Sequence, residues 1–506
     1  MTARLVPEQS QPRITHRPHA LRLGALARCD ALLVMIPADL APAKWKSLPR
    51  GAWLRSEYLR RKCRAGATLS ARLDGKRHGL VIVGLRADTA SAFETLHLAG
   101  RMLKETRALQ PGRIALATVG LDGSAARNAL EALLAGSLAA AFELPSFKSR
   151  QGNGAAPREI TIFDPGRNDF AATLASSEGN NLARWLTALP GNELTPASYR
   201  EMATTLARRE GWRVEFFDRA KLARRGAGAF LAVTQGSEDD GSGILHVQYR
   251  GTGNGSSPRL GLVGKGICFD TGGTNLKAHR SMLDMHIDMG GSAVALATLL
   301  ALTRLRVPYR VDCWLALAEN RIGPKAYKPQ DVVKASNGTS IQVIHTDAEG
   351  RMVLADALAF AAREKPALVL DFATLTGACV NALTERYSGV FTNRPEWREV
   401  LERAGSASGE RVWCFPMDAD FDADLESANA DIVQCLPDNK GDHIYAARFL
   451  SRFVPPAIPW AHVDLAAATR TGGLAHINTE ITGFGVRYAV NLLMEQDLLG
   501  EARRAS

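Results

Sequence analysis

The chain has little cysteine for its length: seven residues among 506, scattered, with no Cys-x-x-Cys pair. That argues against a disulfide framework or a zinc ribbon and suits a reducing cytoplasm. There is no run of about eighteen uninterrupted apolar residues, so no membrane span is expected. The N-terminal stretch mixes Arg, Pro and Gln and lacks a basic segment followed by an apolar core, which argues against a secretory signal. Two hydrolase signatures are missing as well, the His-Glu-x-x-His zinc helix and the Gly-x-Ser-x-Gly elbow. An acidic excess is also lacking: 62 basic residues face 52 acidic ones, a net charge of +10. Basic residues are mostly a solvated face. The densest group, Arg60, Arg61, Lys62 and Arg64, has no aromatic platform or DNA-reading motif beside it, so nucleic-acid binding is not favoured.

What is present is an ordinary globular composition, 46% hydrophobic and 23% charged. At this length two or more domains are expected. Short apolar runs at 31–36, 80–85, 113–119 and 159–163 alternate with helical patterns at 89–108 and 125–142. They predict a smaller N-terminal α/β domain over 1–168, with a polar, glycine-rich loop at 148–157 and a linker opening at Pro165-Gly166. A larger α/β domain with a central mixed sheet is expected over 169–506. Its strands are predicted at 213–217, 243–249, 259–263, 309–316, 341–344, 367–372 and 460–465. Its helices are predicted at 171–189, 196–209, 292–305, 352–363 and 444–453.

The segment HTDAEGR at 345–351 carries Asp347, Glu349 and Arg351 at alternate positions after a β-branched run. In an extended backbone these two carboxylates and the guanidinium would face one side. Acids that close repel unless a positive charge, such as a hard cation, lies between them. About sixty residues upstream, GKGICFDTGG at 264–273 supplies Lys265 and Asp270, followed by Lys277 and by Asp288 ahead of an apolar helix. This is no phosphate loop, since Arg259 replaces its first glycine and Gly266 its Ser or Thr. Phe269 likewise breaks a dinucleotide fingerprint. Taken singly, Asp288 and Asp347 read as helix caps, Asp270 as a turn residue and the lysines as surface charges. Taken together, the carboxylate-rich set suits Mg, Mn or Zn, and bridging carboxylates allow two cations about 3.5–4 Å apart.

HTDAEGRMVLAD at 345–356 is similar to the signature of the leucyl (cytosol) aminopeptidases, Asn-Thr-Asp-Ala-Glu-Gly-Arg followed by Leu-Val-Leu-Ala-Asp. The blocks VGKGICFDTGG (263–273), ATLTGA (373–378), WAHVD (460–464), TGFGVR (482–487) and GAGAFLAVTQGS (226–237) extend the resemblance over about 175–495. The resemblance implies a two-metal exopeptidase. Lys265, Asp270, Asp288 and Glu349 would hold the tighter cation. Asp270, Asp347 and Glu349 would hold the second. A metal-bridging water or hydroxide would attack the carbonyl of the N-terminal peptide bond, Lys277 would stabilise the oxyanion, and Arg351 would hold a bicarbonate serving as general base. The substrate's free α-amine would bind a metal and Asp288. Met285, Thr374 and Gly377 would line the first side-chain pocket, and the Leu375 N–H would face the scissile carbonyl. The family also implies a homohexamer, a dimer of trimers, acting on peptides in the cytoplasm.

The chain departs from that pattern at several positions. His345 replaces the signature's Asn, which contacts bound substrate, and brings a side chain whose charge changes near neutral pH. His286 replaces Lys and Ala278 replaces Pro. Asp442-His443-Ile444 replaces a run of small residues, and 471–478 differs from the usual loop. His462 and Asp464 read as buried, hydrogen-bonded core residues. The rival reading is a catalytically weak paralogue acting by DNA binding or as a scaffold; a different two-metal hydrolase, such as a phosphoesterase, is a second rival.

Overall fold

A computed structural model describes residues 6–7, 11–21, 29–73, 79–149, 157–238, 241–253 and 257–504. Most of the loop expected at 148–157 lies outside these residues. The chain forms a mixed α/β structure on two large sheets. The first contains β1 (Arg13–Arg17), β2 (Ala31–Pro37), β3 (Thr68–Arg72), β4 (Leu80–Arg86), β5 (Arg113–Thr118) and β6 (Glu159–Phe163), in the order β1-β6-β5-β2-β4-β3. All neighbours pair in parallel except β3 with β4. Central β2 reads ALLVMIP and is buried along nearly its whole length, as a parallel strand covered on both faces must be. Leu33 and Met35 pack under helices Ala92–Thr106 and Gly123–Ala140, while Leu32 and Val34 face Trp45 and Leu54 on the other side. Helix Ala92–Thr106 starts at a capping box in which Ser91 and Glu94 satisfy each other's backbone N–H groups.

The second sheet contains β7 (Arg213–Asp218), β8 (Gly243–Tyr249), β9 (Arg259–Asp270), β10 (Arg310–Asn320), β13 (Leu368–Ala373), β14 (Ser388–Thr392), β15 (Val412–Cys414) and β17 (Trp460–Asp464). Its order is β15-β14-β17-β13-β9-β10-β8-β7, with a parallel centre, β17-β13-β9-β10, flanked by an antiparallel pairing with β14 on one side and antiparallel pairings through β8 and β7 on the other, while edge strand β15 pairs with β14 in parallel. A small third sheet joins β11 (Val332–Lys334), β12 (Ser340–Gln342) and β16 (Ile432–Val433). Helix Gly290–Arg304 covers one face of the parallel centre, packed beneath Ala171–Thr187, and helix Glu349–Arg363 covers the other. The stretch Met285–Arg304 is long and apolar enough by composition to cross a membrane, but it is mostly buried inside the protein as a core helix.

Two expectations about the second sheet are corrected. The strand expected at 259–263 runs on to Asp270, because β9 is paired on both sides and its register with β10 continues past Lys265. Lys265 is therefore a mid-strand residue and Asp270 a strand-end residue. Residues 345–351 are not extended: β12 stops at Gln342, and the helix expected at 352–363 begins at Glu349. The Ile344 and His345 N–H groups both donate to the Gln434 side-chain oxygen at 3.1 Å, which removes them from any strand ladder. Sequence reading also misses β1, β3, β14 and β15, strands of only three to five residues without a sustained apolar run. Helices Gly51–Arg60, Arg398–Ser408 and Val486–Met494 escape it too.

Candidate active site and metal centre

The carboxyl ends of the parallel strands converge, as ligand sites in such sheets do. Asp270 closes β9, Asn320 closes β10, Thr374 follows β13 and Asp464 closes β17. Asp288 reaches the same place from a single 3-10 turn, Met285–Met289, that leads into helix Gly290–Arg304. Asp347 comes from the loop before helix Glu349–Arg363, and Glu349 from its first turn. The structure brings together all four acids and both lysines singled out in the sequence. Lys265 Nζ lies 2.7 Å from Asp288 and 3.0 Å from Glu349, and also donates to the Thr374 carbonyl at 3.0 Å. Lys277 Nζ lies 2.9 Å from Asp270 and 2.5 Å from Asp347.

Burial sets the electrostatics. Lys265, Asp270, Asp288 and Glu349 are each at most 6% exposed. Burial and then the nearby Glu349 push the Asp270 carboxyl well up and raise Asp347. Burial also raises Asp288, to about 7, against the pull of Lys265. Glu349 is held down, because Lys265 and Lys277 outweigh its burial. Burial opposes charge on Lys265, but Asp288, Glu349 and Asp270 hold its proton in place. Lys277 is raised likewise, with Asp270, Glu349 and Asp347 outweighing burial. With all four acids ionised, four carboxylates against two ammonium groups would leave an excess of two negative charges, a repulsion that adds to burial in raising Asp270, Asp288 and Asp347. Oxygens of Asp270, Asp347 and Glu349 all lie within 4.8 Å of one another. A buried, over-negative, all-oxygen cluster of this kind fits hard divalent cations, which would relieve its repulsion.

A second layer, not found from sequence, holds the cluster. Asn320 Nδ2 donates to Asp270 at 2.8 Å, to the Thr346 carbonyl at 3.0 Å and to Glu349 at 3.4 Å. The Tyr327 hydroxyl donates to the same Thr346 carbonyl at 2.8 Å, and Gln434 Nε2 to the Ala348 carbonyl at 2.9 Å. Asn320 had one faint signal, a polar end to the apolar run LALAEN. Asp464 shapes the loop after β13 by accepting from the Leu375 N–H at 3.1 Å, the Thr376 N–H at 3.3 Å and the Thr376 hydroxyl at 2.6 Å. The Leu375 N–H, expected to face a scissile carbonyl, is thus turned toward Asp464. His462 and Trp460 clasp Asp371 at 2.5 and 2.6 Å, and His462 and Asp464 are buried as expected.

Over the cluster lies a cavity of about 290 Å³. Lys277, His345, Asp347, Glu349, Arg351 and Asp442 line it, with Leu375 and Gly377 on one wall. Met285 and Thr374 are not among its lining residues. Met285 shares the 3-10 turn of Asp288, and the Thr374 hydroxyl donates to Asp288 at 2.9 Å. The ring of His345 accepts the Asp347 N–H through Nδ1 at 3.3 Å. Arg351 does not face the cluster with Glu349, since two positions along a helix turn side chains far apart. Its Nη2 donates to both oxygens of Asp442 at 2.7 Å, and its Nη1 to the Gln434 carbonyl at 3.2 Å.

Residues 181–490 match the model of the cytosol aminopeptidase family, catalytic domain. The chain belongs to the cytosol aminopeptidase family. A probable cytosol aminopeptidase of Synechococcus sp. (strain JA-3-3Ab) is 36% identical over 485 residues, 92% of this chain and 93% of that one. One from Prochlorococcus marinus (strain MIT 9313) is 41% identical over 340 residues, covering 67% and 69%. Among solved structures, a tomato leucine aminopeptidase mutant superposes with a TM-score of 0.84 at 26% identity, covering 97% of this chain and 98% of that one. The bottromycin maturation enzyme BotP in complex with Mn gives 0.80 at 32% identity, covering 92% and 99%. As a family member the chain is a metal-dependent aminopeptidase, a leucyl-aminopeptidase-type hydrolase of two-domain α/β fold. No observation favours the DNA-binding reading. Of the basic group at the end of helix Gly51–Arg60, Arg60 is paired with Glu57 at 2.5 Å on an exposed surface.

Proposed function

We propose that this aminopeptidase holds two divalent cations, Zn, Mn or Mg, with Lys265, Asp270, Asp288, Asp347 and Glu349, and removes N-terminal residues from peptides. One observation carries this reading: the four acids and two lysines form a closed ion cluster beneath a cavity. When bound, the cations supply Lewis-acid activation of the carbonyl and of water. For Lys265 to be a ligand it must lose its proton, and neutralisation of the surrounding carboxylates by cations is what would permit this. The two lysines divide by position. Lys265 is buried under the acids, whereas Lys277 lines the cavity, where its ammonium can stabilise an oxyanion. Asp288 would receive the substrate's α-amine. His345, Leu375 and Gly377 on the cavity wall, with Met285 and Thr374 beside Asp288, would surround the first side chain.

The bicarbonate expected at Arg351 is not among the observations that support this reading. Asp442 occupies Nη2 of Arg351 and the Gln434 carbonyl meets Nη1, which leaves Nε as the guanidinium nitrogen without a partner. The domain division at 168/169 is supported by the break between β6 and helix Ala171–Thr187, which packs on the core helix of the second sheet. A homohexamer, a dimer of trimers, belongs to the same reading; exposed Leu283, Ile322 and Trp413 supply apolar surface for subunit contacts. A cytoplasmic location accords with the name of the relatives.

The test is hydrolysis of an amino-acid anilide panel by metal-stripped protein with Mn, Zn or Mg restored. Turnover returning with one or more metals, and calorimetric binding of two cations per subunit, are the expected results. No turnover with any metal would overturn the reading.

A further inference from the structure

We propose that Asp442 is the proton-accepting carboxylate of the hydrolysis, positioned by Arg351. This inference rests on the aminopeptidase reading. Attack of water on a peptide carbonyl releases a proton that must be held and then delivered to the leaving amine. The cluster carboxylates are committed to the two lysines, and Lys265 is enclosed by Asp288, Glu349 and the Thr374 carbonyl. Among the described residues lining the cavity, the carboxylates are Asp347, Glu349 and Asp442, so Asp442 is the one outside the cluster.

Its placement is constructed. Arg351 is 2% exposed, and its Nη2 lies 2.7 Å from both Asp442 oxygens, a charge-assisted contact that holds the carboxylate in place. Arg351 is itself fixed by the Gln434 carbonyl, and Gln434 also holds the loop that carries Asp347. Asp442 opens helix Asp442–Ser451 after Gly441, whose φ of 60° turns the chain sharply. Its side chain remains 16% exposed against 2% for Arg351, and both line the cavity. A carboxylate whose two oxygens share one nitrogen donor keeps lone pairs free for a further partner.

The step balances. As the water oxygen bonds to the carbonyl carbon, its proton passes to an Asp442 oxygen. As the C–N bond breaks, that proton passes to the leaving nitrogen, and Asp442 returns to the carboxylate. Arg351 stays protonated throughout and acts as a positioning residue.

The test compares parent, Asp442→Asn and Asp442→Gly, each metal-loaded, on an amino-acid anilide, with formate or bicarbonate added at constant ionic strength. In both variants kcat is expected to fall about a hundredfold or more with KM changed less than about threefold. Asp442→Gly, which opens the guanidinium, is expected to regain part of its kcat saturably with formate or bicarbonate, while the parent is indifferent to either. Asp442→Asn matches Asp442 in size and decides the matter if Asp442→Gly does not fold. Either variant, folded and metal-loaded, working within about threefold of the parent overturns the proposal; so does saturable stimulation of the parent by bicarbonate. Failure of the parent itself to turn over with any metal counts against the aminopeptidase reading instead.

Discussion

Both large sheets put parallel strands at their centre and helices on both faces, yet their strands end in different chemistry. In the first sheet the central strands close on Ile36-Pro37, Leu85-Arg86 and Ala117-Thr118. Buried Arg86 spends its guanidinium locally, on the Thr95 hydroxyl at 3.2 Å and the Ala87 and Ala90 carbonyls at 3.1 and 3.0 Å. In the second sheet the corresponding ends are Asp270, Asn320 and Asp464, and the acids are more numerous than the cations that face them. One layered architecture thus carries a self-satisfied terminus in one place and an unbalanced one in another. Catalysis lives in that imbalance rather than in the fold.

The sharpest way to break this comparison is to neutralise one strand end in each sheet. Asp270→Asn removes a predicted bridging ligand, and we expect kcat/KM to fall by more than about a hundredfold with loss of cation binding. Arg86→Met should leave kcat/KM within about twofold and lower stability by about 1–3 kcal/mol, since it takes the donor from the buried Thr95 hydroxyl and the half-buried Ala87 and Ala90 carbonyls. Steady-state kinetics, calorimetric metal titration and denaturant midpoints check both. An Asp270→Asn protein with full activity and two bound cations would dissolve the distinction.

How much of this was legible depended on whether chemistry was carried by residue identity or by contacts distant in sequence. The acids and lysines of the cluster were readable because unusual residues crowd into glycine-rich, strand-end and helix-start segments. The route by which they meet was not. Alternation along 345–351 suggested an extended strand, but Gln434, some ninety positions away, takes the backbone N–H groups that a ladder would need. The same limit hid Asn320, whose role is defined by Asp270, Thr346 and Glu349, and the pairing of Arg351 with Asp442. Sequence marked 442–444 and 471–478 as unlike the family; contacts show that the first closes on the active site and the second on the first sheet, where Asn478 donates to the Gly100 carbonyl at 3.0 Å.

That junction between the sheets sharpens the comparison through pH. His476 sits against Gly100, 3.0 Å from where a Cβ there would lie, and burial followed by the charges of Arg487 and Arg184 pushes its ring down to about 3. The folded state therefore keeps His476 neutral, whereas the unfolded chain protonates it near 6.5. Its contribution is fully present above pH 6.5 and is lost progressively as pH falls toward 3. Between pH 6.5 and 5 the loss amounts to about 2 kcal/mol. His476→Gln should flatten that part of the stability profile in denaturant titrations, while kcat at neutral pH stays within about twofold. A profile as steep as the parent's would mean that His476 is not the group responsible.

The smallest effect is expected where the two sheets touch at the surface. The Arg411 guanidinium, beside β15, lies 3.8 Å above the Phe93 ring of the first sheet's helix Ala92–Thr106 and 4.3 Å from the Tyr387 ring. Phe93→Leu keeps apolar bulk but removes the π face, at a cost of about 0.5–1 kcal/mol. Arg411 retains Tyr387, so the guanidinium is not left without a ring partner. If the first sheet only braces the second, kcat and KM should be unchanged and the denaturant midpoint should shift slightly. A loss beyond about 3 kcal/mol, or any fall in metal affinity, would mean that the junction transmits order to the strand ends, and the two sheets would then have to be treated as one functional unit.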